Sequence, residues 1–228
     1  QSTASKAREK DKNFYGWYDL GDITPTQVYT LRRAQYHHRF AMSLMHIAFD
    51  DGLITLAPKR KTGIAQNKLQ AMLAYLNSDF SRFFVEIYGR PTGGGVIELD
   101  VNSVAKIPIL NIDKLARKDV EKLSELFKKL EIEIRKTSGA DNPENLETIQ
   151  PVVDAVNAIV AEVLGLEKDS VEYLRSLVKT LAERRFSRIA EAKPEAIKGE
   201  GEPRIRPPEK AKRTKKEDTS IPLDRFIR

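Results

Sequence analysis

Arg32, Arg33, Tyr36, His38 and Arg39 stand together in "RRAQYHHRF". Arginines with a tyrosine interleaved suit contact with nucleic-acid phosphates and base edges. A solvated basic strand is the plainer reading of the same residues. His37 and His38, with His46 nearby, raise the question of a metal. On a strand, adjacent histidines point to opposite faces, and no Asp or Glu falls nearby at zinc spacing, so no metal is expected. "PKRKTG" brings Lys59, Arg60 and Lys61 side by side. Such a loop either clamps a backbone phosphate or keeps a turn soluble.

The stretch "YGRPTGGGVIELD" adds Arg90, Thr92 and three consecutive glycines, Gly93, Gly94 and Gly95. A mononucleotide P-loop needs Lys-Ser/Thr after its glycines and a helix start, so that backbone N–H groups and the helix dipole meet phosphate. Here the strand-like Val96-Ile97-Glu98-Leu99 follows. A dinucleotide fingerprint runs strand, glycines, helix, which is the reverse of this order. Two readings stay open: a pliable helix-to-strand connection, or a close backbone approach to a polyanion beside Arg90 and Thr92. No nucleophile–base pair stands out. Glu98 and Asp100 share a face but lack the lysine that a metal-nuclease core would place after them.

The elements that must position these residues change class along the chain. "NFYGWYDLG", "TQVYTLRRA", "YHHRFAMSL" and "GLITLAP" are rich in aromatic and β-branched residues and read as strands. Leu69, Met72, Leu73, Leu76, Phe80, Phe83, Phe84 and Ile87 recur at helical spacing. Asn77-Ser78-Asp79 interrupts that run, with Ser78 or Asp79 as the cap of a second helix. "GVIELD" reads as a short strand and "VNSVAKIPIL" as a helical turn ended by Pro108. Beyond residue 113, Val120, Leu123, Phe127, Leu130 and Ile134 step 3-4-3-4, with Gly139 as a stop. Asn142-Pro143 offers a cap and a first-turn proline. Ile149, Val152, Val156, Ile159 and Val163 then lead to Gly165. Asp169 and Glu172 read as a capping box before Val171, Leu174, Val178 and Leu181.

The fold class is therefore α+β: a strand-rich N-terminal domain followed by about three amphipathic helices. Residues 1–13 read as the flexible edge of a longer chain and residues 14–112 as the α+β domain. Residues 113–194 form a helical segment, and 195–228, rich in Pro, Lys and Glu, a basic and largely disordered tail.

Bulk composition narrows the partners. The 228 residues carry a net charge of +6, and the surplus lies toward the two ends, which favours polyanions. The chain has no cysteine, which excludes a disulfide scaffold and thiolate metal sites and fits a cytoplasmic protein. No apolar run approaches the roughly 18 residues of a spanning helix, so no membrane is expected.

In order and spacing, "RRAQYHHRFAMS", then "LNSDF", "GGGVIELD" and "KIPIL", then "VVDAVNAIVAEVLGL", resemble the C-terminal part of N6-adenine DNA methyltransferases. The nearest kind is the fused, type IIG-like restriction–modification enzymes. In that family a Leu-Asn-Ser helix, a glycine loop and an Ile-Pro-Ile strand end belong to the target-recognition domain. Leu76-Asn77-Ser78, Gly93–Gly95 and Ile107-Pro108-Ile109 match them. The likeness covers roughly residues 14–190. It implies a domain that binds double-stranded DNA and presents a flipped adenine to a catalytic methyltransferase domain or subunit. The implied DNA contacts are Arg32, Arg33, Tyr36, His38, Arg39, Lys59, Arg60, Lys61, Arg90, Thr92 and Gly93–Gly95.

The family's Asn-Pro-Pro-Tyr motif and S-adenosylmethionine loop are not found in this sequence; its one Asn-Pro, Asn142-Pro143, precedes Glu144. The chain is thus expected to be no enzyme by itself, but part of one. No cofactor is expected here, and S-adenosylmethionine is expected in the missing catalytic domain. Type I restriction specificity subunits are similar, and a helical protein-interaction module without DNA binding is a further alternative.

Overall fold

Alternation along Thr26–Leu31 (β1) sets the first layer: Thr26, Val28 and Thr30 are buried, while Gln27 and Tyr29 are half-buried. A strand with one face on a core shows this period of two. The computed structural model describes residues 26–47, 52–57, 64–137 and 141–191, which all belong to one compact unit, Gln1–Lys193. β1 is the centre of an antiparallel sheet, with Phe40–Ile47 (β3) on one side and Leu53–Leu56 (β4) on the other. Its register places Phe40, Thr30 and Ile54 in one cross-strand row and Met42, Val28 and Leu56 in the next. Those rows form the face turned to the helices.

A second, smaller antiparallel sheet has Ile97–Glu98 (β6) at its centre, between Arg33–Ala34 (β2) and Arg90–Pro91 (β5). β6 is shorter than "GVIELD" promises. The left-handed backbone of Gly95 breaks the chain before it, and after it the Asp100 side chain caps the next helix while its own backbone is still extended.

Among the described residues six α-helices complete the mixed α+β fold: α1 (Gln66–Leu76), α2 (Asp79–Tyr88), α3 (Val101–Ala105), α4 (Arg117–Lys136), α5 (Pro143–Leu164) and α6 (Lys168–Glu191). The long helices start and stop where local chemistry directs. Ser78 caps α2 by accepting from Ser81 N–H. Asn142 caps α5 by accepting from Asn145 N–H at 2.9 Å, with Pro143 in the first turn and left-handed Gly165 at the end. Leu69, Leu73 and Leu76 of α1, Val120, Leu123 and Phe127 of α4, and Val156 and Val160 of α5 share one core with Val28, Phe40 and Ile54.

The Leu-Asn-Ser elbow joins helices to sheet. Asn77, 2% exposed, accepts from Phe40 N–H at 3.1 Å and donates to the carbonyls of Phe40 and Leu73, both at 2.8 Å. Its amide thus satisfies the edge backbone of β3 as a neighbouring strand would. Tyr75 Oη donates to Pro108 O at 2.9 Å, which anchors Ile107-Pro108-Ile109. These three residues run as irregular chain, not as a strand end.

Two further expectations change. His37 and His38 precede β3 and lie in a loop, so strand alternation does not govern where they point. Asp100 is the N-cap of α3, accepting from Ser103 N–H at 2.6 Å, and not a strand residue sharing a face with Glu98. "NFYGWYDLG", Lys59, Arg60, Lys61, Gly139 and the segments 1–13 and 195–228 lie outside the described residues. Among the described residues no helix is long and apolar enough to cross a membrane.

Candidate functional site

The small sheet gathers three of the expected contact residues around one carboxylate. Across its strands Arg33 pairs with Glu98 and Glu98 pairs with Arg90. Glu98 is 5% exposed, whereas the Arg33 and Arg90 side chains are 66% and 74% exposed. Glu98 Oε1 accepts from Arg32 Nε at 3.1 Å and Arg33 Nη2 at 3.3 Å; Oε2 accepts from Arg90 Nη2 at 2.5 Å. Leu99 N–H also donates to Arg32 O at 2.8 Å, which continues the pairing by one residue.

The Arg90 hydrogen bond, with the nearby guanidiniums, holds Glu98 below the usual carboxylate range; Glu98 in turn raises Arg90. Asp100 adds a second negative charge near Arg90, itself faced by Lys106. Cations still outnumber anions, and the two most exposed guanidiniums stand at the surface.

The glycine loop borders this sheet. Val96 O accepts from both Thr92 N (2.8 Å) and Thr92 Oγ1 (3.1 Å), which closes a tight turn over Gly93–Gly95. Gly94 and Gly95 take φ of 74° and 75°, conformations that side chains disfavour. Gly93 does not share that requirement, and a Cβ at Gly93 or Gly94 would meet nothing within 4 Å. The carbonyls of Gly94 and Gly95 are held by Gln35 Nε2 at 2.9 Å and by Arg185 Nη1. Two acceptors that would repel a phosphate are therefore committed to the protein.

Beneath the loop lies a polar layer built from distant segments. Arg185 of α6, 7% exposed, makes a bidentate pair with Glu86 of α2 at 2.9 and 3.2 Å and also donates to Gln35 O at 2.8 Å. Asp141 accepts from three successive backbone N–H groups, those of Gln35 (2.7 Å), Tyr36 (3.1 Å) and His37 (3.0 Å). Such a row of N–H groups is an anion nest, here filled by the chain's own carboxylate. These three N–H groups are spent on Asp141 and are not offered to a strand partner.

Tyr36 stacks on Phe186 at 5.4 Å, and its carbonyl accepts from Arg82 Nη2 at 3.3 Å. His37 and His38 are 6% and 4% exposed. Burial, together with Arg82 and Arg39, lowers His37, and burial lowers His38 to about 4, against hydrogen bonds at Arg32 and Ile97. Both imidazoles are neutral near pH 7, and His38 supports the loop from inside. Arg39 is half-buried and its pKa is lowered by burial. Among the described residues no three His, Asp or Glu side chains group as metal ligands.

The structure thus brings Arg32, Arg33, Arg90, Thr92 and Gly93–Gly95 together, sets Tyr36 and His38 beside them with Ile97, places Arg39 apart in the cleft with Tyr29, Met42 and Glu131, and leaves Lys59, Arg60 and Lys61 undescribed. Sequence reasoning missed Glu98 as the hub, and also Glu86, Arg82, Asp141 and Arg185, whose partners lie far along the chain. Gly89 was missed as well. A Cβ there would meet Ile97 Cγ2 at 2.2 Å and Val85 O at 2.6 Å, so α2 approaches β6 only through glycine.

A family model described as "Type II methyltransferase M.Eco57I, C-terminal domain" matches residues 3–140. No curated protein and no solved structure matches the chain.

Proposed function

The chain belongs to the family of type II methyltransferase M.Eco57I C-terminal domains, and from that premise we propose that it is the DNA-recognition part of an adenine-N6 methyltransferase in a restriction–modification system. The observation that carries the proposal is the pair of exposed guanidiniums, Arg33 and Arg90, fixed on one carboxylate beside an open glycine turn. Duplex DNA is the polyanion. Arg33 and Arg90 take phosphate oxygens, Arg32 backs them, and the Gly93–Gly95 turn lies close to the backbone. Phosphate contacts of this kind fix register and orientation, while base-edge contacts from neighbouring loops read sequence. Lys59, Arg60 and Lys61 are proposed as further phosphate contacts. The domain then holds the duplex so that a flipped adenine reaches a catalytic domain or subunit. The reaction takes place in the cytoplasm.

Methyl transfer itself falls to that catalytic partner, which supplies S-adenosylmethionine as methyl donor. The described residues do not fit this cofactor. The glycine turn precedes a strand instead of a helix and commits two carbonyls inward. The cleft between β3 and α4, lined by Tyr29, Met42, Ile134 and Arg135, measures about 220 Å³, below the roughly 300–1,000 Å³ of sites for ligands of that size. Binding of the full chain to a fluorescein-labelled DNA duplex, followed by anisotropy at low salt, tests the reading. Saturable binding supports it, and absence of binding sinks it.

A further inference from the structure

Glu98 is an odd choice for a surface that is to meet phosphate, because a carboxylate there repels the ligand. It is nonetheless the best-connected side chain of the small sheet. It is 5% exposed, at the centre of the sheet, and takes one hydrogen bond from each of three arginines. Arg33 and Arg90 reach it from opposite sides, from the two strands that flank β6. Each spends one terminal nitrogen on Glu98 among the described residues. A guanidinium carries five N–H donors in a rigid plane, so the rest of each fork stays at the exposed face. Without an anchor, two long side chains at two-thirds exposure or more would wander and repel one another. Ordering them would then be charged to the binding step.

We propose that Glu98 is a positioning residue that holds Arg33 and Arg90 as a preformed two-armed clamp for DNA phosphate. The proposal rests on the DNA-recognition reading given above. The Glu98 side chain stays beneath the guanidiniums, touching no phosphate, and Arg33 and Arg90 are its agents. The local charge stays positive with Glu98 ionised, so attraction is retained while geometry is gained. Preorganisation of this kind raises affinity by removing the cost of ordering from the binding step.

The opposed roles of charge and geometry give a test whose sign decides. Glu98→Gln removes a negative charge and keeps the shape. If Glu98 merely offsets charge, E98Q binds a random-sequence DNA duplex more tightly. If Glu98 positions the arginines, E98Q binds about tenfold more weakly despite its extra positive charge. Glu98→Asp keeps the charge and withdraws the carboxylate by one methylene, so it also binds more weakly under the proposal and unchanged under simple charge balance. The experiment is anisotropy of the full chain with fluorescein-labelled duplex, titrated from about 50 mM to about 200 mM salt. Thermal melts report whether each variant is folded.

Weaker binding by folded E98Q, with a salt slope near that of the wild type, supports the clamp. Equal or tighter binding by E98Q overturns it. If E98Q does not fold, E98D decides by the same comparison. Failure of the wild-type chain to bind DNA at all would instead overturn the recognition reading, which keeps the two failures distinct.

Discussion

Arg185 in α6 and Glu86 in α2 meet through two parallel hydrogen bonds, at 2.9 and 3.2 Å, across 99 residues of chain. Both side chains are about 5% exposed. The same guanidinium carries the carbonyls of Gln35 and Gly95. One buried cation therefore fixes α6, the loop before β3 and the glycine turn as a unit. Removing one partner of a buried pair strands the other in low dielectric. Arg185→Ala is expected to destabilise the fold by about 3–5 kcal/mol, measured by urea unfolding. Arg185→Lys recovers little, because a point charge cannot reproduce the fork. A loss below about 1 kcal/mol would mean that the polar layer relaxes around the gap.

Gly89 gives a second, smaller prediction. Its φ of −70° is open to any residue, so the demand is for space alone: Ile97 Cγ2 and the Val85 carbonyl occupy the volume a methyl would need. Gly89→Ala should cost about 1–3 kcal/mol by overpacking. Pairing it with Ile97→Ala, which removes Cγ2 itself, should cost less than the two single losses added together. Simple additivity in the double variant would place the strain at the Val85 carbonyl.

Acid should weaken the fold through the buried imidazoles. His38 has an ordinary value of 6.5 when unfolded and about 4 in the fold, so below pH 6.5 the unfolded chain takes up a proton that the folded chain refuses. Its contribution is complete above about pH 6.5 and fades as pH falls toward 4, to a maximum of about 3 kcal/mol. His37 shifts in the same direction. Urea midpoints at pH 7 and pH 5.5 should therefore diverge for the wild type, and the gap should narrow in His38→Asn. An equal gap in both proteins would assign the acid sensitivity elsewhere.

At Gly93 fold and function separate. Gly94 and Gly95 need glycine for their positive φ, but Gly93 has open space and no such backbone requirement. Gly93→Leu should leave the melting temperature unchanged. If the turn lies against DNA, it should nevertheless weaken duplex binding by tenfold or more, since a side chain would stand between backbone and phosphate. Unchanged binding would leave glycine here as a neutral choice.

Much of the scaffold is legible locally. The 3-4 stepping of Val120, Leu123, Phe127 and Leu130, the Asn142-Pro143 start, the Gly165 stop and the Ser78 cap all act through neighbours within one helical turn. They appear where the sequence reading expects them. The site is far less legible because its partners are non-local. Arg33 and Glu98 are 65 residues apart and Arg185 and Glu86 are 99 apart, and no periodicity links them. The β-like composition of "YHHRFAMSL" misplaces His37 and His38 for the same reason. Local propensity favours a strand there, but Asp141, over 100 residues on, takes the backbone donors a ladder would need. The glycine triplet is visible at once. Only the fold separates the two glycines the turn requires from the one it does not.

The most direct measurement is the salt dependence of duplex binding by the wild-type chain, Arg33→Gln and Arg90→Gln. If Arg33 and Arg90 each neutralise a phosphate, binding falls steeply between about 50 mM and about 200 mM salt. The slope of log affinity against log salt then drops by about 1 in each variant. Binding that is absent at low salt, indifferent to salt, or unchanged in slope when either arginine is removed would contradict DNA recognition by this face.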